Sequence, residues 1–109
     1  MNDIMFHVAR RGEGKTRWLL DKAHELKDYP VKLYCETSQE YSLFCEKYFS
    51  LYKEICPVEY LNSHEDVLPS DIVLIDDLIA LSRSLANIRH IKNNCYKMYV
   101  TMEGESSNA

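Results

Sequence analysis

Residues 4–20 read Ile4-Met5-Phe6-His7-Val8-Ala9-Arg10-Arg11-Gly12-Glu13-Gly14-Lys15-Thr16-Arg17-Trp18-Leu19-Leu20, and the fold follows from how this stretch changes character. Ile4 to Val8 is a short, mostly apolar run of β-favouring residues, which predicts a strand. Gly12 and Gly14 break the regularity, so a loop spans Arg10 to Gly14. From Lys15 onward Trp18, Leu19, Leu20, Ala23 and Leu26 recur at helical spacing, with Arg17, Asp21, Lys22 and Glu25 opposite them. That pattern predicts an amphipathic helix ending near Asp28, ahead of Pro30.

The rest of the chain repeats the alternation. Val31 to Cys35 is β-branched and aromatic enough for a second strand. Thr37 or Ser38 can cap a helix in which Tyr41, Phe44, Cys45, Tyr48, Leu51, Tyr52 and Ile55 keep an i, i+3, i+4 rhythm through Glu54. Pro57 closes it, Val58 to Leu61 reads as a short strand, and Asn62 to Ser70 as a polar loop or a single helical turn. Asp71 to Ile75 is an apolar run of the kind buried on both faces in a parallel sheet. Leu78, Leu81, Leu85 and Ile88 then predict a helix over Leu78 to Arg89, and Tyr96 to Met102 a last strand. The expected fold is α/β: one three-layer α/β/α domain over residues 1–103, with a mainly parallel sheet of about four or five strands joined by right-handed crossovers. Gly104 to Ala109 is expected to be a disordered tail of small polar residues.

At 109 residues and 46% hydrophobic composition, the chain has room for one core and none for a second domain. A net charge of -4 excludes a global positive field of the kind that drives non-specific nucleic-acid binding. The distribution says more than the total. Arg10, Arg11, Lys15 and Arg17 cluster early, whereas no Lys or Arg stands between Lys53 and Arg83, a stretch holding Glu54, Glu59, Glu65, Asp66, Asp71, Asp76 and Asp77. Basic knot and acidic stretch can meet around an anion that carries a metal ion, and a solvated acidic face accounts for the second equally well. Cys35, Cys45, Cys56 and Cys95 have no zinc-type spacing and read as free thiols in a reducing cytoplasm. Neither a signal peptide nor a membrane span is expected. His7, His24, His64 and His90 show no ligand or triad spacing.

Ala9 to Thr16 matches the pattern G-x-x-x-x-G-K-[ST] everywhere but its first position, where Ala replaces Gly. The chemistry wants these residue types in this order. Gly12 and Gly14 let the backbone curl so that its amides, from Arg10 through Arg17 with Glu13 among them, face inward on a phosphate. Lys15 reaches the β and γ phosphates, the helix N-terminus adds its partial positive charge, and the Thr16 hydroxyl serves Mg²⁺. Downstream, Ile72-Val73-Leu74-Ile75-Asp76-Asp77 is an apolar strand ending in two carboxylates.

Together these two segments resemble the Walker A and Walker B motifs of the P-loop NTPases. The second acid and an added strand resemble the branch that includes helicases, RecA-like ATPases and viral DNA-packaging (terminase) ATPases, over roughly residues 3–103. The resemblance implies ATP or another NTP and Mg²⁺ as ligands, with Asp76 holding the metal and Asp77 orienting or deprotonating the attacking water. The arginine-bearing loop is similar to terminase loops, which implies that Arg10 or Arg11 approaches the γ-phosphate and that Arg11 is catalytic alongside Lys15 and Asp77. Thr101, at the end of the last strand, occupies the position of a polar sensor. Asp77 stands where most such ATPases have Glu, about 1.5 Å short in reach, which implies weak hydrolysis.

The leading expectation is therefore a Mg²⁺-dependent, weakly hydrolysing ATPase linked to nucleic-acid processing or phage-type DNA packaging, in the cytoplasm or in that of a host. Its expected partners are the nucleotide, a nucleic acid or protein, and a second copy of itself. The alternative is a protein-interaction or regulatory module on the same minimal fold, with or without nucleotide. A nucleoside or nucleotide kinase fits less well, because only Arg83 and Arg89 remain downstream to furnish a lid. The stripe Tyr41, Phe44, Tyr48, Tyr52 can stack bases, but at helical spacing it reads first as core.

Overall fold

In the computed structural model, which describes residues 3–9, 14–53, 58–76 and 84–103, strands and helices alternate as the sequence leads one to expect. Strand β1 is Asp3–Ala9, helix α1 Lys15–Glu25, β2 Val31–Tyr34, α2 Ser38–Tyr52 and β3 Glu59–Leu61. A 3₁₀ turn at His64–Asp66 precedes β4 at Ile72–Ile75, helix α3 at Leu85–Asn94 and β5 at Lys97–Glu103. The five strands form one sheet in the order β1-β5-β4-β2-β3, and every neighbouring pair is parallel.

Each element has a local cause. Helix α2 starts at a capping box: the Thr37 hydroxyl accepts from the Glu40 amide at 3.1 Å, and the Glu40 carboxylate accepts from the Thr37 amide at 3.2 Å. Helix α3 starts where the Ser84 hydroxyl accepts from the Asn87 amide. Its far end corrects the expected boundary at Arg89, since the helix runs on to Asn94; the expected first part, Leu78 to Arg83, lies outside the described residues. The run Ile72 to Ile75 is wholly buried, as a central parallel strand requires.

Leu19 and Leu20 of α1, Leu33 of β2, Ile72 to Ile75 of β4, Ile91 of α3 and Met98 and Val100 of β5 form one continuous core. Burying each large aliphatic side chain contributes roughly 1.5–3 kcal/mol. Phe44 and Tyr48 are buried, and Tyr41 and Tyr52 pack against the core, so the aromatic stripe of α2 is packing. Right-handed crossovers put α1 and α2 on one face of the sheet and α3 on the other. No helix among the described residues is long and apolar enough to cross a membrane.

Parallel pairing sends the carboxyl ends of all five strands to one edge. Ala9, Asp76 and Thr101 therefore share that edge, and β5 lies between β1 and β4. The segments 10–13, 54–57, 77–83 and 104–109, which hold the expected loop residues, Cys56, Asp77 and the tail, lie outside the described residues.

Candidate functional site

Gly14 is the N-cap of α1 and adopts φ 81°, ψ 26°, a left-handed conformation that costs a residue with a side chain. Among the described residues no side chain caps α1 and no acid stands in its first turn, whereas α2 and α3 are both capped by hydroxyls. Lys15 and Thr16, the first two helical residues, are 7% and 4% exposed. Burial to that degree is uncommon for a lysine residue, and here it happens at the positive end of a helix.

At the same edge, Asp76 follows β4 directly and is 3% exposed. The Thr101 hydroxyl, fully buried on β5, donates to Asp76 Oδ1 at 3.2 Å. Asp76 Oδ2 has the Lys47 ammonium at 3.8 Å, reaching over from α2. The carboxylate is thus fixed on one oxygen by a neutral donor and faces a cation with the other. Such a group suits a divalent ion, and the pairing β4·β5 explains why: Ile75 pairs with Val100, so the next residues, Asp76 and Thr101, emerge side by side.

Arg17 does not turn inward with its neighbours. Its guanidinium pairs with Asp21 at 3.3 Å and lies 5.2 Å from the centre of the Tyr52 ring. Arg10, Arg11, Gly12, Glu13 and Asp77 lie outside the described residues. Among the described residues no three His, Cys, Asp or Glu side chains converge on a metal position. A magnesium site needs only one or two carboxylates when substrate phosphates complete the shell, so the single buried carboxylate of Asp76 is compatible with that ion and not with a caged one.

Two features escaped the sequence reading. Lys47 is one. The other is a polar clasp further along the same edge, where Glu36, just past β2, is 2.7 Å from His64 Nδ1 and accepts from Asn87 Nδ2 at 3.3 Å. The His90 ring meets that of His64 edge-on. The clasp ties the end of β2 to the 3₁₀ turn and to the first turn of α3, residues separated by 28 and 51 positions and so invisible to local spacing. A cavity of about 220 Å³ lies at the opposite, amino-terminal end of the strands, bordered by His24, Lys27, Tyr29, Val31 and Glu59. It is remote from the Asp76 edge, whereas open α/β sheets bind ligands at their carboxyl ends.

Comparison with protein-family models, with curated proteins and with solved structures finds no match to this chain.

Proposed function

We propose that this chain binds ATP or another NTP with Mg²⁺ at the carboxyl edge of its sheet and hydrolyses it weakly. The observation that carries the reading is the burial of two pairs at one edge: Lys15 with Thr16 at the head of α1, and Asp76 with Thr101 across β4 and β5. The strand order supports it as well, since β5 stands between the loop strand and the acid-bearing strand, as in the additional-strand P-loop ATPases that the sequence resembles.

In this reading the α1 amides and Lys15 bind the β and γ phosphates, and Arg17 contributes through its main chain, its side chain being engaged with Asp21 and Tyr52. Thr16 and Asp76 would hold Mg²⁺, which neutralises phosphate charge when bound. Thr101 fixes the Asp76 carboxylate, and Lys47 balances its charge until a divalent cation competes for it. Arg10 and Arg11 are assigned to the γ-phosphate and Asp77 to the attacking water, on the strength of the motif. A role beside nucleic acid, in processing or packaging DNA, and a cytoplasmic setting belong to the same reading; the free thiols of Cys35, Cys45 and Cys95 agree with the latter.

Binding and turnover measured separately test it. Asp76→Ala is expected to abolish the Mg²⁺ dependence of nucleotide affinity, and Asp77→Glu to raise turnover without changing affinity. Wild-type protein that shows no affinity for millimolar ATP with Mg²⁺ would leave the fold as a scaffold for protein contacts.

A further inference from the structure

The two edges of the sheet are built differently. At one, β3 is 3 residues long and begins with Glu59, the short and charged design that discourages further pairing. At the other, β1 is 7 residues long, bonds among the described strands to β5 alone, and carries no charge and no proline from Ile4 to Ala9. Its side chains alternate. His7 turns to the α1 face and stacks on Trp18, while Ile4, Phe6 and Val8 turn to the other face, where Phe6 is 55% and Val8 58% exposed. On that same face the β5 partners Met98 and Val100 are buried and Ile4 still packs against the core, so it is Phe6 and Val8 that the described residues leave open.

We propose that β1 is the contact edge for a second copy of this chain, paired antiparallel about a two-fold axis at Phe6, so that one sheet runs through both copies. The sequence of the strand is complementary to itself in that orientation. Pairing about Phe6 sets Ile4 against Val8, Met5 against His7 and Phe6 against Phe6, keeping apolar side chains together on the open face. It also sets Asp3 of each copy opposite Ala9 of the other, so that the two acids lie at opposite ends of the paired strands. An in-register parallel pairing would set the two Asp3 residues against each other. The inference is independent of nucleotide binding.

Sedimentation of the 109-residue chain over two decades of concentration is expected to reveal a reversible dimer. Phe6→Lys, which sets two ammonium groups against each other on the axis, is expected to sediment as a monomer throughout with an unchanged far-ultraviolet spectrum. Phe6→Cys is expected to form a disulfide between the two copies of position 6, located by peptide mapping, and this decides the matter should the lysine variant fail to fold. A wild-type chain that stays monomeric overturns the proposal. So does a dimer that persists in folded Phe6→Lys, or one in which Phe6→Cys does not cross-link.

Discussion

At the scale of single residues, Gly14 shows how the entry to a helix leaves its mark on the backbone. A methyl group there would meet no atom within 4 Å, so the demand for glycine comes from φ 81° and not from crowding. Gly14→Ala should therefore destabilise the fold by roughly 1–2 kcal/mol in urea unfolding, with no sign of a steric clash. This residue, Lys15, Thr16 and Asp76 were legible in the sequence because the motif fixes their spacing within one turn or one strand end. Lys47 and Glu36 were not. Their partners, Asp76 and His64, are brought to them by strand order and helix direction, which no local pattern encodes.

At the scale of elements, β2 and β4 are joined below the site by a buried ion pair, Lys32 Nζ to Asp71 Oδ2 at 3.1 Å. Asp71 is fully buried, also accepts from the Leu68 amide, and leaves Oδ1 without a hydrogen-bond partner among the described residues. Lys32→Met would remove the cation and keep the carboxylate, a change expected to cost about 3–5 kcal/mol in denaturant unfolding. Asp71 also adds to the burial that pushes the neighbouring Cys95 thiol from 9.0 up to about 11. Because the folded value is the higher one, the unfolded thiol ionises first as pH rises. Its contribution to stability is complete below pH 9.0 and is lost between there and about 11. Unfolding free energies should accordingly fall more steeply over that interval for wild type than for Cys95→Ala. A capping hydroxyl marks the start of α2 at Thr37 plainly, whereas α1 ends at Glu25 and not near Asp28, because Pro30 limits a helix without fixing its last residue. The end of α3 was misplaced because Leu85 and Ile88 give the period of a helix but not its length, and Asn94 carries no strong stop signal.

At the scale of the whole molecule, the parallel order β1-β5-β4-β2-β3 brings Ala9, Asp76 and Thr101, far apart in sequence, to one end of the sheet. The alternation of elements was enough to call for a parallel sheet, but not for the insertion of β5 between β1 and β4, which depends on how the last strand finds its neighbours. That insertion sets Thr101 against Asp76 and leaves β1 as the open edge. A radius of gyration of 13.2 Å is that of a fully collapsed domain of this length. The central claim is that the carboxyl edge binds a nucleoside triphosphate, and calorimetric titration of Mg·ATP into wild-type and Lys15→Ala protein tests it most directly. Saturable one-site binding by wild type, reduced at least tenfold in Lys15→Ala while its thermal unfolding stays cooperative, is the expected result. Equal affinity of the two proteins, or no heat of binding in either, would contradict it.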